Sequence, residues 1–256
     1  MPLLEVRGLR RSFYGVKALD GVDLGVERGT ITGLIGPNGA GKTTLFNCVS
    51  GVNPPDGGRV VFDGADVTGW PPHRVTGRGL VRTFQIARGF PRLSVLENLL
   101  LYGAAQPGET LWRALLRAPS ATRRERALVA RAYAVAGRLN LAALLNAPAS
   151  DLSGGQKKLL ELGRVLMTDP QLVMLDEPIA GVNPTLAAEL ARHLQSLCAE
   201  GLTFLVIEHH LDVIARLCDP VIVMAEGRHL TQGRFADVAA DERVQAAYLG
   251  RRAVTT

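Results

Sequence analysis

The order of hydrophobic and polar positions predicts strands near the start of the chain. Leu4–Arg7 and Val22–Val26 alternate apolar and polar residues, as half-buried strands do, and Gly8 is expected to end the first of them. Thr30–Ile35 is a short apolar run typical of a buried strand. Lys42–Val49 follows it with the pattern of a helix. The first fifth of the chain therefore predicts strands that lead into a strand–loop–helix unit.

The middle of the chain changes from strand signals to helical ones. Glycine turns at 56–58 and 63–64 bracket a strand at 59–62, and Leu80–Gln85 is a further strand candidate. From Leu96 to about Asn146 the chain is rich in Ala, Leu and Arg at helical spacing. We interpret this stretch as a helical lobe inserted into an α/β body.

Strands and helices alternate in the last third of the chain. The pattern predicts strands at 171–176, 202–207 and 220–224 and helices at 184–199 and 211–217. This alternation is typical of a parallel sheet covered by helices. We expect one domain over 1–256, with an α/β core at 1–95 and 168–250, a helical subdomain at about 96–167 and a loose tail at 251–256.

Composition narrows the class of protein. The 256 residues are 47% hydrophobic and 21% charged, which suits a globular domain, and no apolar run approaches the roughly 20 residues of a membrane span. Met1–Glu5 lacks the features of a signal peptide, so we expect the chain to stay inside the cell. The three cysteines show no disulfide or zinc spacing.

The net charge of +5 has two interpretations. The positive charge could bind an anionic partner, or it could simply reflect an arginine-rich composition. The basic run at 123–126 is interrupted by Glu125 and lies in a helical pattern, which favours a solvated helix face. We therefore expect no nucleic-acid partner.

A phosphate-binding loop follows the strand at 30–35. Its glycines let backbone N–H groups face an anion at the start of a helix, Lys42 adds a charge for the β- and γ-phosphates, and Thr43 offers a hydroxyl to Mg²⁺. The flanking strand and helix are the context that this loop requires. The residues predicted to bind nucleotide here are Gly36, Pro37, Asn38, Gly39, Ala40, Gly41, Lys42, Thr43 and Thr44.

Two acids end the apolar strand at 171–176. Side chains at the carboxyl ends of parallel strands are often functional. Asp176 is expected to hold Mg²⁺ through water, and Glu177 to orient or partly deprotonate the water that attacks the γ-phosphate. The alternative is an ordinary pair of acids at a strand end.

The segment Leu152–Gln156 distinguishes this chain from other phosphate-loop proteins. Ser153 can cap a helix, and the free amides of Gly154 and Gly155 can face an anion. With Gln156 added, the segment resembles the signature of ATP-binding subunits of ABC transporters, and the resemblance covers almost the whole chain. In that family the signature of one subunit clamps the γ-phosphate of ATP bound to the other. The resemblance therefore implies that one chain is half of an ATPase.

The same resemblance implies a fold and further site residues. The fold is α/β: a P-loop NTPase core with an N-terminal antiparallel β subdomain and an inserted α-helical subdomain. Phe13 matches the aromatic that stacks on adenine; Tyr14 is a possible substitute, and either could be a core aromatic. Gln85 matches the glutamine that touches Mg²⁺ and senses the membrane subunit. His209 matches the switch histidine that contacts the γ-phosphate and supports Glu177.

Two positions depart from the family pattern. Many relatives carry aspartate where Asn183 stands; asparagine still forms hydrogen bonds but lacks the charge. Aspartate is also common where His210 stands.

A finer resemblance is to the longer ATPase of branched-chain amino acid uptake systems. It rests on 36–46, 155–170 and the ending Ala247–Gly250. It implies ATP and Mg²⁺ as cofactors and a place on the cytoplasmic face of the membrane. It also implies a second ATPase subunit in a heterodimer or homodimer, two transmembrane permeases and, indirectly, a substrate-binding protein.

Other functions remain open at this stage. Related ATPases serve importers of urea or amides, or a lipopolysaccharide exporter. A soluble ABC-type ATPase acting on ribosomes or DNA usually carries two motif sets or a coiled-coil insertion, and this sequence shows neither. A nucleotide-binding regulator without turnover would not need Glu177.

Overall fold

The computed structural model describes residues 1–83, 90–103 and 119–249, with side chains from 125 onward in the last segment. The chain divides into two compact units. The first comprises Met1–Gln85, Gln171–Ala180 and Leu194–Thr256, and the second comprises Ile86–Pro170 and Gly181–His193. The predicted strand at Leu80–Gln85 is strand from Leu80 to Arg82, and Phe84 and Gln85 lie outside the described residues. The predicted tail at 251–256 also lies outside them.

The first unit contains a four-stranded antiparallel sheet. Its strands are β1 (Leu4–Phe13), β2 (Val16–Val26), β4 (Gly57–Phe62) and β5 (Ala65–Asp66), in the order β2-β1-β4-β5. The predicted turn at 63–64 is confirmed, since β5 returns directly from Asp63 and Gly64. The turn predicted at 56–58 is wrong in part, because Gly57 and Gly58 already belong to β4. This sheet is the predicted N-terminal β subdomain.

The prediction that Gly8 ends the first strand is wrong. Strand β1 continues to Phe13, and the register of its pairing with β2 shifts between Val6 and Leu9. Gly8 has φ 55°, and its N–H donates to Asp23 Oδ1 at 2.7 Å. A glycine at positive φ lets a strand take up an extra residue and continue, so this glycine marks a bulge.

A six-stranded sheet forms the centre of the first unit. Its order is β10-β9-β3-β8-β7-β6, and the neighbours from β9 to β6 run parallel. The strands are β3 (Ile31–Ile35), β6 (Leu80–Arg82), β7 (Leu172–Asp176), β8 (Thr203–Ile207), β9 (Val221–Ala225) and β10 (Arg228–Gly233). Every residue of β3, β7 and β8 is buried, as central parallel strands require. The parallel sheet predicted from the alternating pattern is confirmed.

Helices flank these strands along the chain. They are α1 (Lys42–Val49), α2 (Pro72–Gly77), α6 (Pro184–Ala199), α7 (Leu211–Leu217), α8 (Phe235–Ala240) and α9 (Glu242–Leu249). The predicted bounds of α1, α6 and α7 are confirmed. The buried face of α1, including Leu45 and Phe46, shares one hydrophobic core with side chains from both sheets. That packing fixes the helix that begins at the phosphate loop.

The second unit is helical in its described residues, as predicted. It contains α3 (Val95–Leu100), α4 (Pro119–Arg138), α5 (Gly154–Met167) and two short 3-10 turns, Ala142–Leu144 and Ala149–Asp151. Asn98 is fully buried and accepts from Arg164 Nη2 at 2.6 Å. Its amide also donates to the carbonyls of Phe90, Leu93 and Ser94. This amide therefore satisfies buried polar groups that would otherwise cost free energy.

None of the helices in the described ranges is both long enough and apolar enough to cross a bilayer.

Candidate functional site

Three neighbouring strands bring the predicted chemistry to one edge of the central sheet. The phosphate loop follows β3, Asp176 ends β7, and Glu208 and His209 follow β8. Strand β8 lies between the other two, and Ile207 at its end pairs with Leu34 on one side and Asp176 on the other. Because parallel strands expose their carboxyl ends at the same edge, residues far apart in sequence meet there.

The loop at 36–43 is shaped for close backbone approach. Gly41 caps helix α1 at φ 96°, and a Cβ there would lie 2.4 Å from the carbonyl oxygen of Ala18. No other residue fits without moving that strand. Asn38, Gly39 and Thr43 are exposed, Pro37 and Thr44 are partly exposed, and Gly36 and Ala40 are buried. The loop therefore presents its tip and the start of α1 to solvent.

Lys42 is folded back onto its own loop. Its ammonium donates to the carbonyl oxygens of Gly36 at 2.7 Å and Pro37 at 3.0 Å, and the residue is 6% exposed. Burial lowers the pKa of Lys42, while the negative charges of Glu177 and Asp176 act in the opposite direction. A buried cation whose hydrogen bonds go to neutral carbonyls can exchange them for an anion.

Tyr248 of the C-terminal helix lies against the same loop. Burial raises the pKa of its phenol, and a hydrogen bond with the backbone of Gly36 offsets part of that effect. The ending Ala247–Gly250 that carried the finer resemblance thus begins beside the first glycine of the phosphate loop.

Asp176 is paired with an arginine that the sequence analysis missed. Arg82 Nη2 lies 2.9 Å from Asp176 Oδ2, and both side chains are more than nine-tenths buried. Arg82 also donates to Asn47 Oδ1 of α1, and its guanidinium lies 5.5 Å from the centroid of the Phe46 ring. The sequence did contain a signal for this pair, because Arg82 is an arginine at the end of an otherwise apolar strand. Of the two carboxylate oxygens of Asp176, Oδ2 is the one that accepts from Arg82.

Glu177 and His209 meet at the ends of neighbouring strands. His209 Nε2 lies 2.9 Å from Glu177 Oε1, and both side chains are partly exposed. The backbone of Glu177 has φ 50°, an unfavourable conformation for a residue with a side chain, and its N–H donates to the Ile207 carbonyl at 2.9 Å. A strained backbone at an acidic residue whose side chain contacts a histidine is typical of a functional site.

Neither candidate for the adenine-stacking aromatic is a core residue. Tyr14 is fully exposed, at φ 49°, in the turn between β1 and β2. Phe13 is partly exposed, and the guanidinium of Arg11 lies 4.9 Å from its ring centroid. Both aromatics are therefore accessible to a ligand.

Within the second unit, the signature segment begins helix α5. Ser153 Oγ accepts from the Gln156 N–H at 3.3 Å, and Gln156 Oε1 accepts from the Ser153 N–H at 2.9 Å, which forms a capping box. An accepting hydroxyl keeps its own O–H as a donor. Ser153 and Gly154 are exposed, whereas a Cβ at Gly155 would lie 2.6 Å from Leu186. The simple N-cap and an anion-binding role are thus compatible.

The two departures from the family pattern have structural roles. Asn183 Oδ1 accepts from the Leu186 N–H at 2.9 Å at the start of α6, a capping role that aspartate would also fill. His210 Nδ1 lies 3.4 Å from Glu208 Oε2. Glu208 is 2% exposed and was not singled out from the sequence. Gln85 lies outside the described residues.

The donors at the sheet edge fit a magnesium nucleotide. The Thr43 hydroxyl and the Asp176 carboxylate are the hard oxygen ligands that Mg²⁺ prefers. Within the parts of the chain that the structure describes, no group of three or more acidic, histidine or cysteine side chains could hold a metal by itself. A metal that shares its ligands with bound phosphates needs only one or two protein oxygens.

The buried pair of Arg82 and Asp176 gives a stability prediction. Arg82→Met should lower the free energy of unfolding by about 3 kcal/mol, because it leaves a buried carboxylate without its countercharge. Adding Asp176→Asn should restore part of that loss, since the uncompensated charge is then gone. Urea unfolding followed by circular dichroism measures both.

An exposed ion pair in the same unit is the control. Arg59 and Asp66 are 3.7 Å apart and largely solvated, so Arg59→Met should cost less than about 1 kcal/mol. The assignment of the buried pair is contradicted if Asp176→Asn makes the Arg82→Met protein no more stable.

Comparison with known proteins identifies the family. The ABC transporter family model matches residues 19–180. The chain is 41% identical to a probable branched-chain amino acid transport ATP-binding protein LivG of Archaeoglobus fulgidus, over 98% of this chain and 96% of the relative. It is 37% identical to the high-affinity branched-chain amino acid transport ATP-binding protein LivG of Escherichia coli K12, over 97% and 98%.

Solved structures agree with the sequence relatives. A crystal structure of an ABC transporter's ATP-binding cassette in its ADP conformation superposes with a TM-score of 0.85 at 40% identity, covering 98% of this chain and 99% of that one. A nucleotide-free cassette gives a TM-score of 0.84 at 39% identity, covering 98% and 100%. The predicted fold class is confirmed, and this chain belongs to the ABC transporter family as an ATP-binding, ATP-hydrolysing subunit.

Proposed function

We propose that this chain hydrolyses ATP at the edge formed by β3, β7 and β8, and that hydrolysis drives amino-acid import. The 2.9 Å contact between His209 Nε2 and Glu177 Oε1 carries the proposal. It places an acid and a histidine together beside a loop built for phosphate.

The triphosphate replaces the carbonyl partners of Lys42. In the present conformation the ammonium donates to the carbonyls of Gly36 and Pro37. A phosphate oxygen offers a charge-assisted bond, which is stronger than a bond to a neutral carbonyl. The backbone amides of Gly39 and Gly41, just before α1, add further donors. Lys42 therefore turns from its loop to the β- and γ-phosphates.

Glu177 orients the attacking water, and His209 fixes Glu177. With Oε1 held by His209, Oε2 is the oxygen that accepts a hydrogen bond from water. The partial exposure of both side chains gives water access to them. His209 would also contact the γ-phosphate, so one ring would link the acid to the phosphoryl group that the water attacks.

Thr43, Asp176 and Gln85 would hold the magnesium ion. The ion would supply positive charge that neutralises the phosphate oxygens during transfer. Arg82 holds Asp176 Oδ2, so Oδ1 would be the oxygen that faces the metal shell. Phe13, or Tyr14 in its place, would stack on the adenine ring.

The site is completed by a second ATPase subunit. Ser153 and Gly154 are exposed at the start of α5, where helix amides and a hydroxyl can receive an anion. Ser153, Gly154 and Gly155 would contact the γ-phosphate of ATP bound by the partner, while Gln156 holds Ser153 in place. Two ATP molecules then hold two chains together, and loss of the γ-phosphate releases them.

Branched-chain or related amino acids are the solute that the comparisons favour. Relatives at 37% to 41% identity, matched over nearly their whole length, carry that name. The chain would work as a peripheral subunit at the cytoplasmic face, with two transmembrane permeases and a second ATPase subunit, either a different chain or another copy of this one. The permeases and a substrate-binding protein would select the solute, and this chain would not touch it.

Glu177→Gln tests the proposed catalytic acid. An amide cannot take a proton from water, so the hydrolysis rate should fall by about 10²- to 10⁴-fold. Binding of ATP should survive, because the phosphate loop is unchanged, and ATP should then hold the protein as a dimer. Phosphate release and gel filtration with and without ATP measure the two effects.

Glu242→Gln is the control for loss of an acid in the same unit. Glu242 is exposed in the first turn of α9, so its substitution should change the rate by less than about twofold. Normal hydrolysis by Glu177→Gln protein would overturn the assignment of the catalytic acid.

Uptake by cells tests the proposed transport. A strain that lacks this chain should lose most high-affinity uptake of labelled leucine, isoleucine or valine. The wild-type chain should restore uptake, and Glu177→Gln should not. Unchanged uptake of all three in the deletion strain, together with a defect for urea, amides or lipopolysaccharide transport, would reject amino-acid import while keeping the ATPase assignment.

A further inference from the structure

Glu208 is a buried carboxylate that the proposed steps of hydrolysis do not use. It follows β8, directly before His209, and is 2% exposed. Burying an ionised carboxylate costs several kcal/mol unless its oxygens are bonded. The bonds that it makes show what this burial achieves.

One oxygen of Glu208 holds the loop that follows Glu177. Its Oε1 accepts from the Ile179 N–H at 2.9 Å in a buried position. Pro178 has no N–H, so Ile179 supplies the first backbone donor after Glu177 that can fix this turn. Ile179 is itself 3% exposed, and its N–H would be a buried unpaired donor without the carboxylate. This contact therefore sets the course of the backbone just after the strained residue Glu177.

The other oxygen holds the backbone of His209. Oε2 accepts from the His209 N–H at 3.2 Å and lies 3.4 Å from His210 Nδ1. The ring of the same His209 contacts Glu177 Oε1 at 2.9 Å. One buried carboxylate thus reaches two segments: the turn after the catalytic acid and the residue that holds this acid.

We infer that Glu208 is a positioning residue for hydrolysis, which fixes the contact between Glu177 and His209 by bonding the backbone of both segments. A carboxylate suits this role because it accepts at two oxygens at once, and charge-assisted bonds to N–H groups are the stronger kind. The inference rests on the proposed roles of Glu177 and His209. A purely local role, in which Glu208 only shapes the start of α7, is the alternative to be separated from it.

Glu208→Gln separates the two roles. The amide oxygen can still accept from Ile179, but the amide NH₂ then opposes the His209 N–H, donor against donor. In the purified full-length chain, kcat for ATP hydrolysis should fall about tenfold while KM changes less than about twofold, because the phosphate loop is untouched. Melting temperature and nucleotide binding report whether the protein is folded.

A double-mutant cycle with His209→Ala gives the decisive readout. Residues that act as a unit are strongly non-additive, so Glu208→Gln should lower kcat by less than about twofold once His209 is absent. Single-turnover phosphate release measures the slow variants. The inference is overturned if Glu208→Gln retains the wild-type kcat, or if it costs the same factor in both backgrounds, as a general loss of stability would.

Two further variants complete the design. Asp212→Asn removes an exposed acid in the first turn of α7, four residues from Glu208, and should leave kcat within about twofold. If Glu208→Gln does not fold, Glu208→Asp takes its place under the same criteria, since the shorter acid keeps its charge but cannot span both N–H groups. Wild-type hydrolysis by Glu177→Gln and His209→Ala would reject the proposed function, whereas loss in those two with normal Glu208 variants would reject this inference alone.

Discussion

The order of three parallel strands is the constraint on which the site depends. Strand β8 lies between β3 and β7, so the phosphate loop, Asp176 with Glu177, and Glu208 with His209 leave the sheet at one edge. Every residue of these three strands is buried, so a change in their order would require the close-packed core around them to be rebuilt. The chemistry of the chain is thereby placed by packing that is remote from the nucleotide.

Buried charge at this edge is compensated by pairs rather than by solvent. Asp176 forms an ion pair with Arg82, and Glu208 accepts hydrogen bonds from two backbone N–H groups. The Lys42 ammonium donates to carbonyl oxygens. Leaving a buried charged group unpaired costs free energy, so each of these contacts also fixes the orientation of the side chain that makes it. Lys42 is the exception: its partners are neutral and its pKa is lowered by burial, which leaves this cation ready to exchange carbonyls for phosphate.

Sequence patterns predicted the elements better than they predicted the contacts. Helices α1, α6 and α7 were predictable because apolar residues recur at helical spacing in them and glycine or proline lies near their ends. Gly8 misled because a glycine at positive φ signals a bulge as well as a strand end. Arg82 and Glu208 were not found, since their roles arise from partners 94 and 29 residues away in sequence. Only the sheet order brings such partners together.

The central claim is that each ATP site is formed by residues of two chains, and cysteine crosslinking tests this claim most directly. Asn38→Cys, at an exposed position of the phosphate loop, and Ser153→Cys would be combined with Glu177→Gln and Cys198→Ser, the last because the two other native cysteines are buried. The account predicts that mild oxidation produces a covalent dimer when ATP is bound and almost none without it. ATP-bound protein that stays monomeric, or that links the two positions within one chain, would contradict the account.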